Sequence, residues 1–377
     1  MKICIISNAH PANDVRLYYK LAISLAKQHQ VWLITATGLP NNTHNPYQIV
    51  VEPDAPRPAL KHIQNEALKI KPDLVICVEP LTLLIARVLK RKLNCRVIFD
   101  VHEFYADAFA ERFPFFLRFP AKLAYLAILK HLQRIADGLF AVNQDVLNQL
   151  LGSDQAGRGS VFPNYPVKNV WDYACDTPGA LAQLCEMRFD LIYAGGLTVQ
   201  RGIFKILKVA TLLKRDFPEL KILILGKFFD PKVEADFNRS INDYNLNTVI
   251  YYQQWIPAEK IGLLLKRCRY GLWLFNPRSR RFRLSTPLKV LEYLSAGLPV
   301  ITIKTPHMKA LIEYNKLGSL TSYHARSIAA TISKMLHLDE TEYHAMSQRC
   351  LELSATRFNW EALEPQLFAA ISRAMQR

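Results

Sequence analysis

Thirteen short runs of Val, Ile, Leu and aromatic residues punctuate this chain, and stretches of helical periodicity separate them. Strands buried on both faces read as continuous apolar runs, so the alternation predicts parallel sheets covered by helices on either side. Seven runs fall in the first half, at 2–6, 31–35, 48–52, 73–78, 96–101, 138–142 and 160–163. Six follow, at 190–195, 221–226, 248–253, 270–275, 299–303 and 319–323. Between the two series lies Pro163–Pro178, rich in Pro and Asn and without clear periodicity, which reads as an interdomain connection. With 377 residues the chain has room for two domains, each with its own core. Open sheets of this class bind ligands at the carboxyl ends of their strands, so the residues just past the runs carry the interest.

The stretch Ser285-Thr-Pro-Leu-Lys-Val-Leu-Glu-Tyr-Leu-Ser-Ala-Gly-Leu-Pro-Val-Ile301 is the most informative of these. Thr286 is a natural N-cap and Pro287 fits the first helical position, while Gly297 and Pro299 end the helix before the run at 299–303. The first turn then offers the N–H groups of Leu288 and Lys289 and the positive end of a helix dipole, which together attract phosphate. Lys289 adds a full charge. Glu292 follows roughly 7.5 Å along the axis at 1.5 Å per residue, about the spacing between a nucleotide's diphosphate and its ribose hydroxyls. Taken alone, the segment is equally a helix capped for stability, with Lys289 and Glu292 as an exposed i,i+3 pair.

The segment resembles the donor-site helix of GT-B glycosyltransferases, specifically the retaining family four, the glycosyl transferases group 1. The family pattern is Glu, seven residues, Glu, then Ala-x-Gly-x-Pro-Val-Ile. This chain matches the second glutamate with Glu292 and the tail with Ser295-Ala-Gly-Leu-Pro-Val-Ile301, while Leu284 stands at the first glutamate. A family variant, Ser-x-Pro-x-Lys-x-x-Glu-Tyr, fits Ser285, Pro287, Lys289, Glu292 and Tyr293. The resemblance extends over nearly the whole chain. It implies an α/β fold of two Rossmann-like domains facing across a cleft, with a C-terminal helix crossing back to the first domain. The expected boundaries are 1–165 for the acceptor-side domain, completed by 360–377; 166–188 for the linker; and 189–359 for the nucleotide-sugar-binding domain.

Site residues follow from the same resemblance. Leu191-Ile-Tyr-Ala-Gly-Gly-Leu-Thr-Val-Gln-Arg-Gly202 corresponds to the family's Gly-Arg-Leu…Lys-Gly, with Gly196 at the arginine and Arg201 at the lysine. Arginine binds phosphate in a bidentate way, so the exchange keeps the chemistry. The implied donor-binding set is Gly195, Gly196, Arg201, Lys205, Thr286, Leu288, Lys289 and Glu292. His102, ending the run at 96–101, is implied near the transferred sugar and joins Arg201 and Lys289 as catalytic. Glu103, Asp14 and Arg16 are implied on the acceptor side, Arg16 as the better substrate contact, although Asn13 or Asp14 also reads as a helix cap. Tyr105, Asp107 and Glu111 are lesser candidates, Asn164 suits a hinge turn, and the arginines at 278, 280, 281 and 283 read as a phosphate-binding or solvated loop.

The formal charge of +16 calls for an anionic partner. No zinc finger, RNA-recognition signature or basic-region heptad points to nucleic acid, which leaves nucleotides and anionic membranes. The basic, aromatic stretch 112–134 has two readings: contact with anionic lipid, or a buried amphipathic helix flanked by charges. Seven scattered cysteines without a Cys-x-x-Cys pair read as reduced core thiols of a cytoplasmic protein, with a peripheral place at the inner face of the cell membrane. No leader is read at Met1-Lys2, no run reaches about eighteen uncharged apolar residues, and no Asp-x-Asp motif or zinc spacing calls for a metal or other cofactor.

The expected activity is therefore metal-independent, retaining transfer from a nucleotide-sugar donor to a lipid-linked or cell-surface polysaccharide acceptor. Two rivals stand: a GT-B sugar-nucleotide epimerase, and an inactive scaffold or partner subunit. Leu284 and Gly196 at family Glu and Arg positions feed the second rival; Arg201, Lys289 and Glu292 argue against it.

Overall fold

The computed structural model describes residues 1–40, 44–51, 56–151, 157–168, 180–257 and 260–377. Each of the thirteen runs forms a strand, displaced by a few residues at most ends. Glu52 of the third run, Cys175 and much of the expected linker lie outside the described residues.

Seven strands form the first sheet: β1 (Lys2–Pro11), β2 (Gln30–Thr37), β3 (Tyr47–Val50), β4 (Leu74–Cys77), β5 (Arg96–Val101), β6 (Gly138–Ala141) and β7 (Gly159–Val161). Their order is β3-β2-β1-β4-β5-β6-β7, with every described pairing parallel. The second sheet holds β8 (Phe189–Ala194), β9 (Ile222–Leu225), β10 (Ile250–Gln253), β11 (Cys268–Trp273), β12 (Val300–Ile303) and β13 (Gly318–Thr321). Its order is β10-β9-β8-β11-β12-β13, again parallel. In both sheets the central strands bury almost every residue, as helices on both faces require.

The chain divides into two compact units, Met1–Val167 with Trp360–Arg377, and Lys168–Asn359. In the first, Ile3, Ile5, Leu33, Ile76, Ile98 and Phe140 meet Leu17, Leu21 and the closing helix Glu364–Met375 through Leu367 and Ile371. Trp360 fixes the return of the chain: its indole N–H donates to Ser24 Oγ at 2.9 Å and its backbone N–H to the Pro166 carbonyl at 2.8 Å. Burying such a ring with its N–H satisfied gives the closing helix an anchor. The six described cysteines are all buried.

Candidate functional site

The helix read from the sequence exists, over Leu288–Ser295, but starts differently. Pro287 itself is the residue before the helix, extended at φ −72° and ψ 139°, and no side chain caps the end. Thr286 does not cap because Pro287 is itself extended, so the helix begins one residue later than the expected register. Val290 N–H bonds the Pro287 carbonyl at 3.0 Å, while the amides of Leu288 and Lys289 find no acceptor among the described residues. The anion-attracting end is thus more open than the expected capped helix would be. At the far end Leu298 N–H reaches back to the Tyr293 carbonyl at 2.9 Å, and Gly297 adopts φ +77°.

Tyr293 sets the helix against the sheet. Its hydroxyl accepts from the Ala194 N–H at 2.7 Å, and its ring lies so close over β11 that a Cβ on Gly271 would stand 2.3 Å from Cδ2. Lys289, one helical turn earlier, is thereby carried to the end of β8. There Gly195, at φ +138°, passes directly under the ammonium: a Cβ at this position would lie 2.0 Å from Lys289 Nζ. On Gly196 a Cβ would lie 2.7 Å from Arg201 Nη1 and 2.8 Å from Phe229 Cε2. The structure thus gathers Gly195, Gly196, Arg201 and Lys289 at one place.

Neither Lys289 nor Arg201 makes an ion pair among the described residues. Lys289 Nζ stands 5.1 Å from the Trp273 ring centroid, and the Arg201 guanidinium 5.6 Å from that of Phe282. The Lys289 amine is lowered to about 8, by burial first and by Arg201 second, with Glu292 opposing. Trp273 is buried, and its indole N–H has no partner among the described residues. Two cations, and N–H groups of Leu288, Lys289 and Trp273 without a partner among the described residues, are groups that attract an anion. Glu292 is half-buried, one turn past Lys289. Lys205 stands apart, its ammonium 4.6 Å over the Tyr323 ring.

The sequence reading missed Trp273 and Phe282. Phe282 sits inside the arginine cluster, which is a short helix, Arg280–Arg283, rather than a loop. Its ring turns inward to Trp273 at 5.8 Å while Arg283 is exposed. A lone aromatic among four arginines is the signal that marked it.

In the first unit two acceptor-side assignments need correction. Arg16 is 5% exposed and gives Nε and Nη2 to Asp100 at 2.7 and 2.6 Å, with Nη1 on the Phe162 carbonyl at 3.2 Å. It ties the first helix to β5 and has no face for substrate. Asp14 is a cap: its carboxylate accepts from the amides of Arg16 and Leu17 at 2.8 and 3.0 Å. Glu103 is exposed. His102 has both ring nitrogens engaged, Nε2 with His10 at 3.2 Å and Nδ1 with the Tyr105 hydroxyl at 3.3 Å. His10 and the buried Glu79 were not read from the sequence, though a carboxylate directly after an apolar run ending at Val78 was a usable signal.

The 112–134 stretch contains one α-helix, Phe115–Leu132. Phe115, Phe116 and Phe119 are 87%, 76% and 71% exposed, so the buried-helix reading fails for its first turns. No helix among the described residues is long and apolar enough to cross a membrane, and no group of three or more His, Cys, Asp or Glu among them is arranged to hold a metal. Cavities of about 560 Å³ lie elsewhere, one beside Val50 and His62, one beside Lys221 and Arg267 at the amino ends of the second sheet.

Residues 183–350 match the family described as Glycosyl transferases group 1, and residues 15–165 the one described as Glycosyltransferase Family 4. A chitobiosyldiphosphodolichol beta-mannosyltransferase of Candida glabrata is 26% identical over 157 residues, 41% of this chain and 33% of that protein. A putative colanic acid biosynthesis glycosyltransferase, WcaL of Salmonella typhimurium, is 23% identical over 182 residues, 48% of this chain and 44% of that one. The chain thus spans less than half the length of these curated relatives. Among solved structures, Anabaena Alr3699/HepE in complex with UDP and glucose superposes with a TM-score of 0.75 over 99% of both chains at 15% identity, a likeness of fold.

Proposed function

The chain belongs to the glycosyl transferases group 1 family, and on that premise we propose that it transfers a sugar from a nucleotide-sugar donor to an acceptor hydroxyl. The donor's diphosphate lies against the amino end of the helix Leu288–Ser295. The amides of Leu288 and Lys289, the Lys289 ammonium and the Arg201 guanidinium take up the charge that grows on the leaving group. Glu292 accepts from the ribose hydroxyls, and the role given to His102 rests on the family resemblance alone. The observation that carries this reading is the convergence of Lys289 and Arg201 on Gly195-Gly196, with no carboxylate among the described residues in an ion pair with either. A leaving group whose charge is met by fixed cations needs no metal, and we include metal independence and retention of anomeric configuration in the proposal.

The HepE structure contains UDP and glucose, and the fungal relative's name specifies a dolichol-diphosphate acceptor. Both support a nucleoside diphosphate leaving group and a lipid-linked acceptor here, the latter with a cell-surface polysaccharide as the alternative. The exposed Phe115, Phe116 and Phe119, with Arg112 and Arg118 beside them, support peripheral docking on an anionic membrane from the cytoplasmic side. Co-sedimentation with phosphatidylglycerol vesicles at low salt checks the docking, and no binding there rules it out. For the transfer itself, wild-type protein is incubated with UDP-glucose and GDP-mannose, with and without glycosyl acceptors. Acceptor-dependent release of nucleoside diphosphate supports the reading, conversion of the sugar without acceptor marks an epimerase, and no binding of either nucleotide marks an inactive scaffold.

A further inference from the structure

Arg201 projects from a turn whose backbone is tied down on several sides. Its amide donates to the Thr198 carbonyl at 3.1 Å, and the Gln200 carbonyl accepts from the Asn276 N–H at 2.9 Å. Gly202, at φ +77°, passes so close to the chain leaving β11 that a Cβ there would stand 2.0 Å from the Leu274 oxygen. The far end of the side chain is held differently. The guanidinium makes no hydrogen bond and no ion pair among the described residues. Aromatic rings meet it instead. The Phe282 centroid lies 5.6 Å from Arg201 Cζ. Phe229 meets the same group over Gly196: a Cβ on that glycine would find Arg201 Nη1 at 2.7 Å and Phe229 Cε2 at 2.8 Å. Gly196 has no left-handed φ, so a side chain there is opposed by space alone.

Both rings have a fixed base. Phe282 stands edge-on to Trp273 at 5.8 Å and 6.2 Å from Phe275, and Trp273 and Phe275 are buried. Phe228 packs on Phe237 and Tyr252, and its bridge to Leu197 ties the chain after β9 to the segment that follows Gly196. Phe229, the next residue, is 70% exposed. A ring that open adds little to the core, and the contact it does make is with the corner around Gly196.

Lys289 stands on the neighbouring ring, Trp273, so two cations rest on one aromatic cluster. They repel each other, and Arg201 helps to lower the Lys289 amine. A carboxylate between them would relieve the repulsion, but it would also neutralise their charge and repel a phosphate. The face of an aromatic ring attracts a cation through its quadrupole and leaves the cation's charge whole. A long side chain already confined has less rotamer freedom to lose when a ligand arrives.

We propose that Phe229 and Phe282 are positioning residues that hold the Arg201 guanidinium over Gly196, ready for the donor's diphosphate and with its full charge available. This rests on the donor-binding reading above and adds to it the groups that keep one of its cations in place.

The test uses the full chain and calorimetric titration with UDP, GDP and ADP. The variants are Phe229→Ala, Phe282→Leu and Phe282→Tyr, each alone and combined with Arg201→Ala. Phe229→Ala and Phe282→Leu weaken whichever diphosphate binds wild type by about 3- to 30-fold. Phe282→Tyr keeps the ring face and binds as wild type does. Combined with Arg201→Ala, the same substitutions cost nothing further, because the group they hold is gone. A ring that merely supports the corner would lose affinity in both backgrounds. Nitrogen-15 NMR of labelled arginine reads the guanidinium without any ligand. The Nε–H signal that vanishes in Arg201→Ala is shifted by ring currents in wild type and returns toward the free value in Phe229→Ala and Phe282→Leu. Should Phe282→Leu not fold, Phe229→Ala decides alone, since its ring is exposed. Unchanged affinity and an unmoved signal in the ring variants, or an equal loss with and without Arg201, overturn the assignment and leave the donor site standing. Wild-type protein that binds none of the three diphosphates overturns the donor reading first, and this assignment with it.

Discussion

Lys289 Nζ lies directly over the Cα of Gly195, where a Cβ would come within 2.0 Å of it. Only glycine allows this approach, and at φ +138° only glycine adopts the backbone without strain. Gly195→Ala therefore displaces the ammonium from its corner. Removing one charge-assisted contact of about 1.5–3 kcal/mol weakens UDP binding by about 10- to 150-fold. Calorimetric titration checks this. Unchanged affinity in a folded Gly195→Ala protein shows that Lys289 does not contact the nucleotide.

The Lys289 amine, lowered to about 8 from 10.5, makes binding and stability depend on pH. Its burial while charged disfavours the folded state below about pH 8, and that penalty fades as pH rises from about 8 toward 10.5. A bound diphosphate favours the charged amine, so UDP binding above pH 8 takes up a proton. Titrations at one such pH in buffers of different ionisation enthalpy reveal the uptake. Heats independent of the buffer, or dependent on it equally in Lys289→Met, contradict the assignment.

Tyr293→Phe removes the acceptor of the buried Ala194 N–H. An orphaned backbone donor costs about 1–3 kcal/mol. Urea unfolding of the second unit's transition should move by that amount, with UDP affinity reduced as well because the same residue sets Lys289 over Gly195. A stability equal to wild type shows that water or another group replaces the hydroxyl.

Arg16 answers to stability instead of substrate. Arg16→Leu leaves Asp100 buried and unpaired, and breaking such a pair costs about 3–5 kcal/mol. Denaturant unfolding measures the loss. In protein that remains folded at low temperature, KM for the acceptor stays near wild type; a large rise in KM without loss of stability restores Arg16 to the acceptor side.

The strands were legible because a strand buried on both faces has little freedom in composition, and all thirteen apolar runs are strands. The corner around Gly195 was legible for a related reason: glycine pairs and a helix start are local signals, and a resemblance ties them to one ligand. What escaped depends on distance in the chain. His10 meets Glu79 across 69 residues and His102 across 92. Arg16 meets Asp100 across 84, which turned a candidate substrate contact into a tie within the core. Trp273 and Phe282 escaped because an aromatic in a strand or an arginine-rich turn is ordinary until its ring is seen beside a cation. The cap at Thr286 failed because Pro287 is extended and the helix begins after it, one residue later than expected.

The central claim is that a nucleoside diphosphate sits at the amino end of the helix Leu288–Ser295, held by Lys289 and Arg201. The most direct measurement is calorimetric titration of wild type, Lys289→Ala and Arg201→Ala with UDP, GDP and ADP at neutral pH. At least one diphosphate should bind wild type and lose about tenfold or more in each variant. If none binds, or if the one that binds is held equally well by both variants, the diphosphate does not lie there.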